Sequence, residues 1–126
     1  MPVKKVLIPT LNETLVFDLN EIICLKADGG YTHFYIADKQ SKQGWRTVMA
    51  SHTLKYFERM LAGFDFQRVN RSMIVGINFI KSINRNQTLA LHHDCLTCIP
   101  LTKRFRKLLL KHFDLSMSVL VSKQTD

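Results

Sequence analysis

Short apolar or alternating segments recur along most of the chain, and clusters of glycine, asparagine, aspartate and other polar residues separate them. The segments are short and rich in β-branched or aromatic side chains, which is typical of β-strands. The predicted strands are residues 3–8, 14–17, 22–27, 31–37, 45–49, 73–77, 79–83, 89–92 and 95–99. The pattern therefore predicts a mostly β protein.

Two other segments repeat apolar residues at the spacing of an α-helix. Residues 51–61 predict a short helix that is capped by Ser51 and ended by Gly63. Residues 102–113 predict a second helix, capped by Thr102, with one apolar face and one basic face. A small α component is therefore expected within the β fold.

Length and composition favour a single domain. The chain has 126 residues, 46% of them hydrophobic, which is enough for one core without metal or disulfide support. No apolar run approaches the ~18 residues needed to cross a bilayer, and the apolar stretch at the N-terminus is too short for a signal peptide. We therefore expect a cytoplasmic protein with no membrane contact.

The positive charge is unevenly distributed along the chain. The net charge is +8, and residues 66–111 contain nine Lys or Arg residues but only one acid, Asp94. Lys103 and Arg104 lie in the first turn of the second helix, where cations oppose the helix dipole, so helix stability does not explain them. Nucleic acid is the leading partner, and a merely basic, soluble surface is the alternative.

The three cysteines give little support to a metal site. An odd number of cysteines, Cys24, Cys95 and Cys98, fits a reducing compartment. The Cys95-x-x-Cys98 spacing lacks a second ligand pair, and residues i and i+3 of a strand point to opposite faces. We expect no metal and interpret the cysteines as small hydrophobic side chains.

No catalytic motif stands out in the sequence. Paired carboxylates, a nucleophile elbow, a phosphate-binding glycine loop and a His-Glu-x-x-His helix are all missing from it. The histidines are scattered over separate predicted elements. We therefore expect neither an enzyme nor a cofactor, and a small basic ribonuclease is the enzyme hardest to exclude.

Three segments combine turn residues with polar or basic side chains, which suits binding through loops on a rigid scaffold. They are DGGYTHF at residues 28–34, FQRVNRS at residues 66–72 and PLTKRF at residues 100–105. The second segment precedes an apolar strand, so its arginines must leave the core or meet an anion, and we expect residues 68–71 to form a loop held by that strand. The candidate side chains are Tyr31, Thr32, His33, Arg68, Asn70, Arg71, Ser72, Thr102, Lys103 and Arg104.

Together these segments resemble the LytTR-type DNA-binding domains of bacterial transcription regulators and two-component response regulators. The resemblance runs from about Val3 to Phe113 and is most specific in FQRVNRSMIVGI, which follows the family pattern Phe-x-Arg-hydrophobic-His/Asn-Arg/Asn-Ser plus an apolar triplet. It implies a domain at residues 1–113. We expect residues 114–126 to be an extension that adds an edge strand or stays disordered.

The resemblance also implies how such a domain works. The expected fold has small antiparallel β-sheets, a short helix between them and a C-terminal helix, with loops that enter successive major grooves. Two copies are expected on repeated half-sites of double-stranded DNA, which they bend. The implied DNA contacts are Thr32 or His33, Arg71 and Arg104, with Asn70 and Lys103 near phosphates and Arg68, Ser72 and Thr102 in support.

Some points stay open at the level of sequence. Gly76 replaces a family Asn, Thr102 replaces a Ser, and residues 37–45 form a long polar connection. Arg68 could simply pair with a nearby acid. Family members usually carry a receiver or membrane sensor before this domain, so the chain is either an excised domain or a stand-alone regulator. An RNA-binding or protein-interaction module with a basic surface is the alternative function.

Overall fold

The computed structural model describes residues 4–124, with side chains for residues 4–113. Within these residues the helices are α1 (Leu54–Met60) and α2 (Lys103–Gln124). The strands are β1 (Lys5–Pro9), β2 (Thr14–Asp18), β3 (Ile22–Asp28), β4 (Tyr31–Ala37), β5 (Trp45–Ala50), β6 (Phe66–Asn70), β7 (Met73–Gly76), β8 (Ile80–Ile83), β9 (Thr88–Leu91) and β10 (Ile99–Pro100). Short 3-10 turns lead into β3 and β8.

The strands of the described residues form three antiparallel sheets. The largest has five strands in the order β5-β4-β3-β7-β6, and the others are the β1-β2 hairpin and a sheet in the order β10-β9-β8. Helix α1 lies between β5 and β6 in sequence, and α2 follows β10. The predicted fold class, mostly β with antiparallel sheets, a short helix and a C-terminal helix, is confirmed.

Apolar residues cover both faces of the five-stranded sheet, because alternate residues of a strand point to opposite faces. On one face, Phe34 of β4 meets Phe57 of α1 edge to face, with ring centroids 4.8 Å apart. On the other, Val75 of β7 lies in a cluster with Leu89 of β9 and Leu109 of α2. Packing on both faces holds the ends of the sheet in fixed positions.

One predicted loop is a strand. Residues 68–71 were expected to form a loop, but β6 extends through Asn70 and pairs with β7, so only Arg71 and Ser72 form the turn. The sequence of β6 shows no alternation of apolar and polar residues, because β6 is an edge strand that buries mainly Val69 and Asn70. The loop prediction is therefore wrong for the residues on β6.

One predicted strand is mostly a loop. Residues 95–99 were expected to be extended, but only Ile99 and Pro100 pair with β9. Cys98 has a positive φ of 52°, which is incompatible with a continuous strand. The chain therefore loops between β9 and β10.

Helix α1 begins later than the sequence predicts. Thr53, and not Ser51, is the N-cap, since its hydroxyl oxygen accepts a hydrogen bond from the Tyr56 backbone N–H at 3.3 Å. The Ser51 hydroxyl donates to the Pro9 carbonyl oxygen at 3.2 Å. Ser51 thus ties the hairpin to the main sheet instead of capping the helix.

Helix α2 is longer than the sequence predicts. It begins directly after Thr102, as expected, but its backbone remains helical through Gln124. Residues 114–126 were expected to add an edge strand or stay disordered; residues 114–124 continue this helix, and residues 125 and 126 lie outside the described part of the chain.

Candidate nucleic-acid interface

Two of the three predicted segments meet at one end of the five-stranded sheet. Strand β3 pairs with both β4 and β7, so the β3-β4 turn and the β6-β7 turn lie side by side. The Ala27 backbone N–H donates to the Ser72 carbonyl oxygen at 2.7 Å and joins the two turns. Antiparallel pairing therefore brings together residues that are about forty positions apart in the sequence.

The start of α2 joins the same end of the sheet. The Thr102 backbone N–H donates to the Val69 carbonyl oxygen at 3.1 Å, next to the end of β6. All three predicted segments are thereby assembled in one place. We call this place the turn edge and define it as residues 28–33, 70–72 and 102–104.

Thr32 faces the interior of the protein. Its side chain is fully buried, and its hydroxyl donates to the His52 carbonyl oxygen at 2.9 Å. That bond joins β4 to the segment that leads into α1. Thr32 and His33 were the alternative DNA contacts of the β3-β4 turn, and the hydroxyl of Thr32 is used within the fold.

His33 lies at the surface of the same turn. Its Nε2 is 2.8 Å from a carboxylate oxygen of Asp28, and their side chains are 28% and 61% exposed. Tyr31 is also exposed beside the two glycines of the turn. Tyr31, His33 and Asp28 are therefore the side chains that this turn presents to solvent.

Arg68 is folded back beneath the β6-β7 turn. Its Nη1 donates to a carboxylate oxygen of Glu58 on α1 at 2.9 Å, and its Nε donates to the Asn70 carbonyl oxygen at 3.2 Å. Its Nη2 donates to the Arg71 carbonyl oxygen. With its side chain only 19% exposed, Arg68 uses its donors on the backbone of the turn and on α1.

Arg71, in contrast to Arg68, lies at the surface of the β6-β7 turn. Its side chain is exposed, and within the described part of the chain its guanidinium has no hydrogen-bond or carboxylate partner. A guanidinium presents a rigid fork of donors that matches a phosphate or the acceptor edge of guanine. Arg71 is therefore available for an anionic ligand, while its carbonyl is fixed by Arg68.

Asn70, which the family resemblance implies to lie near a phosphate, is buried inside the turn edge. It is 8% exposed, its Nδ2 donates to the Pro100 carbonyl oxygen at 2.7 Å, and its Oδ1 accepts from the Ser72 backbone N–H at 2.9 Å. Ser72 is exposed, but its backbone N–H donates to Asn70 and its carbonyl oxygen accepts from the Ala27 backbone N–H. Asn70 and Ser72 thus shape this surface.

The first turn of α2 presents cations. Thr102, Lys103 and Arg104 are exposed, and the Arg104 guanidinium carbon lies 5.2 Å from the ring centroid of Phe105. No carboxylate of the described residues pairs with Lys103 or Arg104. The turn edge therefore combines these cations with Arg71.

Two of the three cysteines, Cys24 and Cys95, are hydrogen-bonded to each other. Hydrogen bonding to Cys95 and burial raise the pKa of the Cys24 thiol well above its ordinary value, and the same bond lowers the pKa of Cys95. In the described part of the chain, no group of three or more His, Cys, Asp or Glu side chains could hold a metal ion. No helix there is long and apolar enough to span a bilayer.

Two contacts of this site were not predicted from the sequence: the bond from Thr32 to His52, and the structural role of Asn70, which was expected near a phosphate. His52 contributes only a carbonyl oxygen, so its side chain gives no signal. Asn70 did carry a signal, because its bond to the N–H two residues later is the Asx-turn that asparagine favours. That pattern would have identified Asn70 as part of the turn.

The sequence matches the LytTr DNA-binding domain family over residues 12–114, which include the whole turn edge. A solved structure described as a LytTr DNA-binding domain of a response regulator from Bacillus cereus has a similar fold. Its TM-score is 0.60 and its identity 24%, and the alignment covers 85% of this chain and 94% of that one. No curated protein matches the chain.

Proposed function

The chain belongs to the LytTr family of DNA-binding domains, and we propose that it uses the turn edge to bind specific sequences of double-stranded DNA and regulate transcription. The proposed domain is residues 1–113. The observation that carries the proposal is the exposure of Arg71 and Arg104, without carboxylate partners among the described residues, at one end of a rigid sheet.

The two arginines are proposed to read bases. Arginine makes the commonest specific contact in the major groove, a bidentate pair with guanine worth about 1–3 kcal/mol of discrimination. His33, at the surface of the β3-β4 turn, is the proposed third contact. The readers would be two turns and the start of a helix, so no recognition helix has to lie along the groove.

The remaining cations are proposed to bind phosphates. Lys103 is exposed beside Arg104, and Arg106, Lys107 and Lys111 follow on α2. Phosphate contacts position a protein on DNA and make its affinity depend on salt, but they carry no sequence information. Ser72 and Thr102 are proposed to support the turns through their backbone bonds.

The assembly on DNA is a proposal of the same kind. We propose that two copies bind repeated half-sites of one duplex and bend it, so that each turn edge enters its own stretch of major groove. A receiver or sensor domain is the proposed source of the regulatory signal. Both features follow from the family resemblance.

Packing of the aromatic residues disfavours an RNA-binding function. An RNA-reading sheet stacks bases on exposed aromatic side chains of an open face. Here Phe34 is fully buried, and Tyr35 and Trp45 pack against the second core cluster with ring centroids 5.9 Å apart. These three aromatic residues therefore give no open stacking surface.

The test is selection of bound sequences from random duplex DNA, followed by binding of variants to the selected site. Arg71→Ala and Arg104→Ala should each weaken specific binding by about 1–3 kcal/mol and relax the base preference at one position. Lys103→Ala should weaken all sequences similarly and reduce the salt slope by about 1.

Lys42→Ala is the matched control, because Lys42 is an exposed cation in the β4-β5 connection, at the opposite end of the five-stranded sheet. It should leave base preference unchanged. If Arg71→Ala and Arg104→Ala bind the selected site as tightly and as selectively as the wild type, the assignment of the turn edge is wrong. A preference for single-stranded RNA in competition would favour the alternative function.

A further inference from the structure

Asn70 is buried and fully engaged at the junction of two segments that are distant in sequence. Its Nδ2 donates across 30 positions of the chain to the Pro100 carbonyl oxygen at 2.7 Å, while its Oδ1 accepts from the Ser72 N–H at 2.9 Å. One amide side chain thus bonds to the β6-β7 turn and to the segment that enters α2. A group that is 8% exposed and engaged at both polar atoms is poorly placed to contact a phosphate.

Other bonds run parallel to this one. The Thr102 N–H donates to the Val69 carbonyl oxygen at 3.1 Å, and farther along α2 the His112 Nε2 lies 2.9 Å from the Gln67 Oε1. Helix α2 is therefore attached to β6 at its start and again about three turns later. Asn70 is the attachment closest in sequence to Arg71.

We infer that Asn70 is a positioning residue that fixes the distance between Arg71 and Arg104, so that the protein reads two base positions at one spacing along the duplex. The inference rests on the proposed function of the turn edge. Each base pair adds about 3.4 Å along the DNA axis and about one tenth of a helical turn. If a base pair is inserted or removed between the two bases, Arg71 and Arg104, held on one rigid unit, cannot both reach their bases.

Loss of this attachment has a distinctive consequence. Without the amide bridge, the β6-β7 turn and the start of α2 can move relative to one another, so a site with altered spacing becomes less unfavourable. Removal of a phosphate contact would instead weaken every site by the same factor and lower the salt slope by about 1. The ratio of affinities for two spacings therefore separates the two roles.

The experiment uses the selected site and two derivatives, one with a base pair inserted and one with a base pair removed between the positions read by Arg71 and Arg104. Wild type should bind the derivatives at least about tenfold more weakly, as for one mismatched base pair. Asn70→Ala should reduce this ratio to below about threefold while keeping the salt slope of the wild type.

Two further variants keep the test decisive. Asn70→Asp retains an acceptor for the Ser72 N–H but loses the donor to Pro100, so it should also lower the ratio if Asn70→Ala does not fold. Its added charge affects all DNAs alike and cancels in the ratio. Asn78→Ala removes an exposed amide just beyond the opposite end of β7 and should keep the wild-type ratio.

The outcomes distinguish the inference from the function on which it rests. If the wild type selects no duplex sequence, the proposed function fails and the inference fails with it. If the wild type selects a site but the folded Asn70 variants keep the full spacing ratio, or lose affinity uniformly with a lower salt slope, only the inference is overturned.

Discussion

The β6-β7 turn and the β3-β4 turn lie side by side at the turn edge, but they are held in different ways. Side chains fasten the β6-β7 turn from within: Arg68 donates to the Asn70 and Arg71 carbonyl oxygens, and Asn70 accepts from Ser72. The β3-β4 turn contains two glycines, and its one side-chain pair, between His33 and Asp28, is exposed.

This difference suggests different tasks for the two turns. Fastened side chains fix the direction in which Arg71 leaves the protein, which suits a contact with one base. Glycines and an exposed side-chain hydrogen bond leave the neighbouring turn freer to adjust to the duplex. Each variant below removes one of the interactions that make the two turns differ.

The largest effect is expected from the arginine beneath the β6-β7 turn. Arg68→Ala removes three donated hydrogen bonds, to the Glu58 carboxylate and to two carbonyl oxygens of the turn, so the free energy of unfolding should fall by about 2–3 kcal/mol. Urea unfolding measures it. Arg71→Ala is the control and should change stability by less than about 0.5 kcal/mol, because its side chain is exposed. Equal losses would contradict the division between the two arginines.

One buried hydrogen bond, from Thr32 to the His52 carbonyl oxygen, attaches the β3-β4 turn to the segment before α1. Thr32→Val keeps the shape but leaves the His52 carbonyl oxygen without its donor, which should cost about 1–2 kcal/mol in the free energy of unfolding. Thr47→Val, at an exposed position of β5, should change it by less than about 0.5 kcal/mol. If thermal unfolding of the two variants coincides, the buried hydroxyl does not stabilise the turn.

The two glycines of the β3-β4 turn provide a matched pair. Gly29 has a φ of 59°, and an added Cβ would have no atom within 4 Å, so Gly29→Ala should cost about 1 kcal/mol from backbone strain alone. Gly30 has no such φ, and Gly30→Ala should be neutral or slightly stabilising. Chemical denaturation measures the free energy of unfolding of both variants. An equal loss for Gly29→Ala and Gly30→Ala would mean that the turn does not depend on a left-handed residue at position 29.

Sequence patterns predicted the sheets because burial on alternate residues leaves a local signal. The strand β4 was predicted with the bounds observed, Tyr31–Ala37, since its buried residues alternate regularly. The edge strand β6 was missed because its pairing with β7 leaves little apolar alternation. Local chemistry also predicted the three segments of the turn edge, through glycine turns and cations that helix stability does not explain.

Contacts between distant positions could not be predicted in this way. The Thr32 bond spans 20 positions and the Asn70 bond to Pro100 spans 30, so each depends on a topology that no short pattern encodes. Gly76 is a further example, since an added Cβ would lie 3.0 Å from the Ile22 carbonyl oxygen. The burial of Thr32 and Asn70 became evident only when the sheets had been assembled.

The smallest effect concerns the exposed pair of the β3-β4 turn and is expected in DNA binding. Asp28→Asn removes a negative charge from the turn edge and releases His33, so affinity for any duplex should rise about two- to fivefold at low salt. The gain should shrink at high salt, because exposed charges are screened. Titration of labelled duplex DNA at two salt concentrations measures both.

Asp38→Asn is the matched control for that measurement. Asp38 is likewise a carboxylate with a side-chain partner, Arg46 at 3.4 Å, but it lies at the end of β4 opposite the turn edge. Its loss should leave DNA affinity nearly unchanged, since a charge more than a Debye length of about 10 Å from the duplex is largely screened. An equal gain from both variants would mean that DNA responds to net charge alone, and lower affinity for Asp28→Asn would mean that the carboxylate orients His33 for its contact.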